Sequence, residues 1–342
     1  MSASTSNPTS AKVHTLPVAG AQATNSLLRN PGTKLDLGWL EEVRNVNRSA
    51  LEKRAATLVK RRSIKGENQA AWLLRALSLM DLTTLNSNDT DERVRRLCAK
   101  AINPLRRDLV EKLKLADMQI RPAAVCVYHP FLSVASNTLE GSGVHIAAVS
   151  TAFPHGLAPL STRLDEIRAS VGAGADEIDV VIRRGLVLGA HWQELYEEVS
   201  QFREACGDAH LKVILGTGDL ASLRNVMIAS MVAMMAGADF IKTSTGKESV
   251  NATLPVGLVM CRAIRNYEER TGFKIGFKPA GGISTAKAAL EWLILIKEEL
   301  GRRWLEPDLF RFGASSLLND IERQLEHHVT GHYSASYRHA IV

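Results

Sequence analysis

The chain has 342 residues, of which 45% are hydrophobic, and a formal net charge of +6. This length allows one large domain with an extension, or two smaller domains. No apolar run reaches the roughly 18 residues needed to cross a bilayer, and the polar first residues lack the apolar stretch of a secretion signal. We therefore expect no membrane segment.

The positive charge is distributed over short basic clusters, at residues 60–62, 93–96, 106–107 and 302–303. These clusters are mixed with acids and are not interleaved with aromatic residues, whereas a nucleic-acid surface usually concentrates its charge on one face. We therefore expect solvated helix faces and no nucleic-acid partner. A basic surface also favours anionic substrates through electrostatic steering.

The cysteines and histidines show no ligand spacing. The four cysteines lie far apart without a CxxC pair, and the ten histidines are scattered. This pattern predicts neither a disulfide framework nor a metal site, and it suits a reducing compartment. We expect a cytoplasmic protein.

In chain order, residues 1–33 come first and have the polar composition of a disordered tail. Residues 34–78 follow with apolar residues at three- and four-residue spacing, which predicts an N-terminal helical extension packed on the main domain. Residues 79–328 form the predicted catalytic domain, and residues 329–342 form a C-terminal tail.

The main domain alternates short apolar, β-branched runs with longer amphipathic segments, eight times in succession. The runs lie at residues 79–84, 123–128, 144–151, 177–182, 211–217, 239–244, 274–280 and 309–315. Apolar strands alternating with helices favour a parallel sheet covered on both faces. Eight such units over about 250 residues predict an α/β fold, a (β/α)8 TIM barrel.

A doubly wound open sheet is the alternative fold. Its strongest signal is a GxGxxG motif after an early strand, and GTGD at residues 216–219 lacks the third glycine. The sequence therefore favours the barrel.

Charged residues occur near the ends of several predicted strands, where barrels place their active sites. These residues are Asp81, Asp179, Lys242 and Lys278. Burial and a second nearby cation both lower the pKa of a lysine, and a neutral amine can attack a carbonyl to form a Schiff base. We predict that Lys242 and Lys278 enter one site from neighbouring strands and that Asp179 carries protons there. The alternative is that both lysines only neutralise nearby carboxylates.

Three glycine- and serine-containing loops follow the sixth, seventh and eighth predicted strands. Glycines let backbone N–H groups approach an anion, and a following helix N-terminus adds partial positive charge. Barrels often bind phosphate in their last loops. The predicted phosphate-binding residues are Thr245, Gly246, Lys247, Gly281, Gly282, Gly313, Ser315 and Ser316.

Two further residues are weaker candidates. Cys126 lies within an apolar run, and buried cysteine commonly packs as a small hydrophobic residue, so packing is the favoured interpretation. Thr83 follows Asp81, which could hold this threonine or a lysine in place.

The segments DLTTL, EIDVVI, FIKTSTGK and FKPAGGI resemble those of the deoxyribose-phosphate aldolase family, over about residues 70–330. The N-terminal helices and the VTGHY segment are similar to its eukaryotic-type branch. The resemblance implies a TIM-barrel, Schiff-base aldolase that reversibly cleaves 2-deoxy-D-ribose 5-phosphate into D-glyceraldehyde 3-phosphate and acetaldehyde in deoxynucleoside catabolism. It implies no metal or organic cofactor.

The resemblance also implies roles for individual residues. Lys242 is the Schiff-base lysine, Asp179 shuttles protons, Lys278 lowers the pKa of the nucleophile and joins the relay, and Asp81 is a supporting acid. Two positions depart from the family. Ser284 stands where the family often has a basic residue, so phosphate affinity is expected to rest more on Lys247 and on backbone donors. Tyr337 is the counterpart of a tail tyrosine that reaches the site, although residues 338–342 extend past it.

Two other functions remain open from the sequence. One is another phosphosugar Schiff-base aldolase, of a transaldolase-like kind, and the other is a non-catalytic basic scaffold that binds RNA or protein. The expected partner is a small phosphosugar. Barrels of this kind are often homodimers, although no segment of the sequence indicates an interface.

Overall fold

The computed structural model describes residues 29–335, 338 and 339. Within these residues, eight strands form one parallel sheet in the order β7-β6-β5-β4-β3-β2-β1-β8. The strands are β1 (Met80–Thr83), β2 (Ala124–Tyr128), β3 (His145–Ser150), β4 (Glu177–Val181), β5 (His210–Ile214), β6 (Phe240–Lys242), β7 (Gly276–Lys278) and β8 (Phe312–Ala314).

The two edges of this sheet meet, so that the sheet closes on itself. Parallel bridges join Phe277 to Phe310 and Ala280 to Gly313, and the N–H of Gly313 donates to the carbonyl of Pro279 at 2.9 Å. Each predicted run overlaps one observed strand, and only β5 begins outside its run, by one residue. The predicted TIM barrel is confirmed, and the open-sheet alternative is wrong because these bridges join the two edges of the sheet.

Helices separate the strands and cover the outside of the barrel. Several begin at side-chain caps: Asp36, Asn47, Thr90, Ser222 and Thr285 each accept a hydrogen bond from a backbone N–H in the first turn. The helices of the described residues are α1 (Leu37–Val43), α2 (Arg48–Lys60), α3 (Gly66–Ser78), α4 (Asp91–Ile102), α5 (Arg107–Lys112), α6 (Leu132–Leu139), α7 (Leu160–Gly172), α8 (Arg184–Leu188), α9 (Trp192–Cys206), α10 (Leu223–Met235), α11 (Leu254–Thr271), α12 (Ala286–Glu299) and α13 (Leu317–Thr330).

The N-terminal segment lies against the barrel helices. Helix α2 packs on α11 and α12, and α3 packs on α12 and α13. Residues 29–33, which the sequence placed in a disordered tail, have defined contacts. Asn30 is buried, and its side-chain amide donates to the carbonyls of Met234 (2.7 Å) and Ala238 (2.9 Å). The predicted tail is therefore too long at its C-terminal end, because these hydrogen bonds anchor residue 30; residues 1–28 lie outside the described residues.

Helix α10 explains why this anchoring is needed. Its 13 residues, LRNVMIASMVAMM, are apolar around most of the circumference, and all from Val226 to Met235 are buried. A helix that is apolar on every side must be covered on every side. Helices α9 and α11 flank α10, and α1 from the extension also contacts it. The backbone N–H of Thr33 caps its end by donating to Met235 O at 2.7 Å.

The surface charges are largely paired with acids. Residues of the basic clusters form ion pairs, including Arg62–Glu298, Arg95–Glu92, Arg106–Glu326 and Arg107–Glu111. Such pairing fits the interpretation of the basic clusters as solvated helix faces. Within the described ranges, no helix is long and apolar enough to cross a membrane.

Candidate active site

The two predicted lysines meet at one carboxylate inside the barrel. Lys242 is the last residue of β6 and Lys278 the last of β7, and the two are register partners in the sheet. The Nζ atoms of both lysines lie 2.7 Å from Oδ2 of Asp179, which projects from β4. Lys242 is 3% exposed and the other two side chains are fully buried.

Asp81 on β1 completes this group. Its Oδ2 accepts hydrogen bonds from Lys278 and from Lys212, the latter at 3.0 Å. Its Oδ1 accepts one from Arg311 at 2.7 Å. Asp81 is thus a second carboxylate partner of Lys278, besides Asp179. The structure brings together all four residues that the sequence proposed as catalytic.

The two lysines have opposite electrostatic environments. Burial lowers the pKa of Lys242, and the charge of Lys278 lowers it further, against the opposing effect of Asp179. Burial also disfavours the charged form of Lys278, but Asp179 and Asp81 outweigh this effect and raise its pKa. Lys242 therefore has the more accessible neutral amine, and Lys278 remains an ammonium group.

The carboxyl groups are held in their ionised form. Burial opposes ionisation of Asp179, yet the nearby charges of Lys212, Lys242 and Lys278 lower its pKa. The pKa of Asp81 is lowered in the same way, because Lys212, Lys278 and Arg311 overcome the cost of burial. Each of these acids is thus a carboxylate that can accept hydrogen bonds from several donors.

Sequence reasoning missed three charged residues of this buried group: Glu177, Lys212 and Arg311. Lys212 on β5 contacts Asp81, Glu177 and Asp179. Arg311 precedes β8 and donates to Glu177 Oε1 at 2.8 Å as well as to Asp81. Strand parity was the available signal, because Glu177 and Asp179 are two residues apart and share the inner face of β4.

A cavity of about 320 Å³ opens above Lys242 at the carboxyl ends of the strands. Every residue that the sequence predicts to bind phosphate lines this cavity, and so does Thr83. The lining includes Thr83, Lys242, Thr245, Gly246, Lys247, Gly281, Gly282, Ser284, Gly313, Ser315 and Ser316. The predicted phosphate loops and Lys242 therefore share one cavity.

The loops after β7 and β8 combine close-packed glycines with the start of a helix. Gly281 has φ +82°, and a Cβ there would lie 2.6 Å from Asn251 side-chain atoms, so only glycine fits. A Cβ at Gly313 would lie 3.3 Å from Cε of Lys278. Ser315 and Ser316 directly precede helix α13, whose N-terminus carries partial positive charge.

The loop after β6 differs from the prediction in one respect. Its backbone donors are already occupied by Glu248: the N–H of Thr245 lies 3.0 Å from Oε2 and that of Gly246 lies 3.1 Å from the same atom. Arg184 holds the other oxygen of Glu248 at 2.8 Å. Glu248 therefore stabilises this loop through hydrogen bonds to the loop's own backbone. Lys247 is the cation that the loop exposes at the cavity. The Thr-x-x-Glu spacing of a capping box was the sequence signal.

The cavity has two lysines besides Lys242. Lys247 is exposed, whereas Lys100 on α4 is bound to Glu322 at 2.6 Å. Ser284 lines the same cavity without a charge. The cap of α12 is Thr285, which accepts from the N–H of Ala288 at 3.2 Å, and Ser284 is the residue before it.

The weaker candidates fall in different places. The hydroxyl of Thr83 donates to the carbonyl of Asp81 at 2.7 Å, and its side chain is half-buried at the cavity. Cys126 is buried in a small cluster that includes Ala147 and Val149, and burial raises the pKa of its thiol. Tyr337 lies outside the described residues. No group of three or more His, Cys, Asp or Glu side chains suited to a metal ion occurs within those residues.

Comparison with known proteins agrees with this architecture. A family model described as DeoC/LacD family aldolase matches residues 75–322. The deoxyribose-phosphate aldolase of Mus musculus is 59% identical over 306 residues, which is 89% of this chain and 96% of the mouse protein. That of Homo sapiens is 57% identical over 308 residues, covering 90% of this chain and 96% of the human protein.

A solved structure shares the fold. The deoxyribose phosphate aldolase of Aeropyrum pernix, described as having a unique tetrameric structure, superposes with a TM-score of 0.54 at 23% identity, covering 78% of this chain and all of that one. The barrel and the family match together define an aldolase, an enzyme that makes or breaks carbon–carbon bonds. The chain belongs to the DeoC/LacD family of aldolases. The predicted enzyme class and family resemblance are confirmed.

Proposed function

We propose that this aldolase reversibly cleaves 2-deoxy-D-ribose 5-phosphate into D-glyceraldehyde 3-phosphate and acetaldehyde through a Schiff base on Lys242. The observation that carries the proposal is the asymmetry of the two lysines on Asp179. One amine is buried and shifted toward its neutral form, and its neighbour stays charged. Similar proteins from mouse and human carry the name of this activity.

The first step is attack by the neutral Lys242 amine on the aldehyde carbon of the open-chain sugar. Loss of water from the carbinolamine then gives an iminium ion. Lys278 is positioned to donate a proton to the departing hydroxyl group, because its ammonium shares Asp179 with the nucleophile. Asp179 contacts both amines and carries protons between them.

The second step breaks the bond between carbons 2 and 3 of the sugar. A base removes the proton from the hydroxyl on carbon 3, and the bonding electrons flow into the iminium to leave an enamine. Carbons 3 to 5 depart as the phosphorylated aldehyde. The enamine is protonated at carbon 2, and water then releases acetaldehyde and restores the amine. Each proton taken up in one step is returned in another.

The phosphate is proposed to bind between the loops after β7 and β8. Both loops line the cavity that reaches Lys242, and the α13 N-terminus favours an anion there. Lys247 adds a cation at the rim. This arrangement would hold the phosphate at one end of the cavity and the aldehyde at the other.

Borohydride trapping tests the proposal. The protein is incubated with acetaldehyde, reduced, digested and examined by peptide mass spectrometry. We expect an ethyl adduct on the peptide containing Lys242 and none in Lys242→Ala. Lys287→Met is the matched control, because Lys287 is exposed on α12 outside the cavity; this variant should label as the wild type does.

Two outcomes would change the proposal. An adduct on Lys278 would exchange the roles of the two lysines, whereas no adduct on either lysine in folded protein would refute the Schiff-base mechanism. Product analysis separates the proposed donor from that of a transaldolase-like enzyme: acetaldehyde should support carbon–carbon bond formation with D-glyceraldehyde 3-phosphate, and dihydroxyacetone should not.

The proposed setting is deoxynucleoside catabolism in the cytoplasm. The four cysteines are free and buried in the structure, which is compatible with a reducing compartment. Cell fractionation together with growth of a deletion strain on deoxyribonucleosides tests this setting.

A further inference from the structure

A second layer of charge lies beneath the catalytic lysines. Arg311 donates to both oxygens of Glu177, at 2.8 Å and 3.1 Å, and to Asp81 at 2.7 Å. Lys212 contacts Glu177 and lies 3.0 Å from Asp81. Neither Glu177 nor Arg311 lines the cavity. Their contacts reach Lys242 only through other members of the group.

The seven charged side chains of this group have a specific charge balance. We call them the ionic core: Asp81, Glu177, Asp179, Lys212, Lys242, Lys278 and Arg311, all at most 3% exposed. Three are acids, three are cations that remain charged, and the seventh is Lys242. The ionic core is therefore neutral when Lys242 is neutral, and it carries one excess positive charge when Lys242 is protonated.

Uncompensated charge is costly in a buried site, because desolvation is not offset by a partner. The neutral amine is thus the form that the surrounding charges favour. The other members of the ionic core keep their charges. Burial opposes ionisation of Glu177, but Arg311 and Lys212 lower its pKa. Burial likewise disfavours charged Arg311, yet Glu177 and Asp81 raise its pKa.

We propose that Glu177 and Arg311 are charge-balancing residues: each offsets the charge of the other, so that the ionic core is neutral when Lys242 is in its neutral, nucleophilic form. They act through Asp81, Lys212 and Asp179 and have no contact with substrate. This inference rests on the proposed role of Lys242 as nucleophile. It extends that role by assigning a function to two residues deep in the barrel.

The charged groups around Lys242 come from most strands of the barrel. Strands β1, β4, β5, β6 and β7 contribute members of the ionic core, and Arg311 precedes β8. On β2, Cys126 is a thiol whose pKa burial raises. On β3, His145 contacts Glu177 at 3.0 Å, but half of its side chain is exposed, so solvent screens its charge.

The test measures the titration of Lys242 without any substrate. Trace acetic anhydride acetylates neutral amines, and peptide mass spectrometry reports the extent of acetylation of Lys242 as a function of pH. Arg311→Met removes a cation and should move the midpoint to higher pH. Glu177→Gln removes an anion and should move it to lower pH. A change of one nearby charge shifts such a midpoint by about one pH unit or more.

The double variant Glu177→Gln with Arg311→Met is the decisive comparison, because it removes both charges and preserves neutrality. Its midpoint should return close to that of the wild type. Arg311→Lys keeps the charge and should leave the midpoint unchanged. Arg107→Gln and Glu111→Gln make the same charge changes in an exposed helical pair and should have no effect.

Three results would overturn the inference. The midpoints of both single variants could shift in the same direction, or folded single variants could show no shift. The midpoint of the double variant could also differ from that of the wild type by as much as that of a single variant. If Arg311→Met fails to fold, as judged by circular dichroism, Glu177→Gln and the double variant decide the matter. Failure of the proposed function gives a different result. In that case the wild type cleaves no 2-deoxy-D-ribose 5-phosphate, while the acetylation midpoints still respond to the charge changes.

Discussion

Lys242 and Lys278 share a single oxygen atom: the Nζ atom of each lies 2.7 Å from Oδ2 of Asp179. Two ammonium groups on one buried acceptor would repel each other, so one of the two is favoured as a free amine. Lys278 has a second partner in Asp81, whereas Lys242 has no other carboxylate within the described residues. The geometry therefore selects Lys242 as the neutral member of the pair.

Removal of the neighbouring cation should make Lys242 less reactive at neutral pH. In Lys278→Met, the loss of the positive charge raises the pKa of Lys242, because that charge helps to lower it in the wild type. The pH at which acetaldehyde trapping reaches half its maximum should therefore increase. Trapping followed between pH 5 and 10 measures this midpoint, and an unchanged or lower midpoint would contradict the prediction.

An isosteric change at Asp179 should impair proton transfer more than binding. Asp179→Asn keeps the size of the side chain, but the amide cannot carry a proton between the lysines. We expect kcat for cleavage to fall by about 10²- to 10⁴-fold, with a much smaller change in KM. Asp165→Asn, in an exposed pair with Arg168, is the control and should retain full activity. An increase in KM with an unchanged kcat would instead indicate that Asp179 acts in substrate binding.

Charge at the cavity rim should affect only phosphorylated substrate. Lys247→Met should raise KM for 2-deoxy-D-ribose 5-phosphate, and Ser284→Arg should lower it, each by about two- to fivefold because both side chains are solvent-exposed. Steady-state kinetics with unphosphorylated 2-deoxy-D-ribose provides the control. A comparable change with that sugar would show that these residues do not act on the phosphate.

The buried amine of Lys242 should reduce the stability of the folded protein. Burial lowers the pKa of Lys242 below its ordinary value of 10.5, so between the folded pKa and 10.5 the unfolded chain binds more protons than the folded one. Folding is therefore penalised at lower pH, and the penalty disappears as the pH rises toward 10.5. Lys242→Met removes it, and we expect a gain on the order of 1 kcal/mol near neutral pH.

Thermal unfolding at pH 7 and pH 10 measures this effect. The melting temperature of Lys242→Met should exceed that of the wild type at pH 7, and the difference should shrink at pH 10. A variant that is less stable than the wild type at pH 7 would show that the hydrogen bond to Asp179 outweighs the burial penalty.

Much of the fold could be predicted because its signals are local. Eight apolar runs separated by amphipathic segments specify the strands of a barrel, and charged residues near the ends of several runs indicate the mouth. Asp81, Asp179, Lys242 and Lys278 were found in this way. Their convergence follows from the parallel arrangement, since the carboxyl ends of all strands lie at one face.

The partners of those residues could not be predicted, because they depend on the tilt and stagger of the strands. Arg311 reaches Asp81 across β8 and β1, two segments 230 residues apart in sequence. In the sequence, Lys212 is one residue within an apolar run. It contacts the buried acids only because its side chain points into the barrel. Glu248 differs from these residues, because its contacts with Thr245 and Gly246 are local and follow from a short-range Thr-x-x-Glu pattern.

The apolar circumference of α10 has a practical consequence for making a smaller catalyst. A polypeptide shortened to begin at β1 would retain the strands that carry Lys242 and Lys278. It would also lose α1 and Asn30, which contact this helix and its C-terminal end. The uncovered methionine-rich surface would promote aggregation. We therefore expect the truncated barrel to be less soluble than the full chain, so a smaller catalyst should keep the extension.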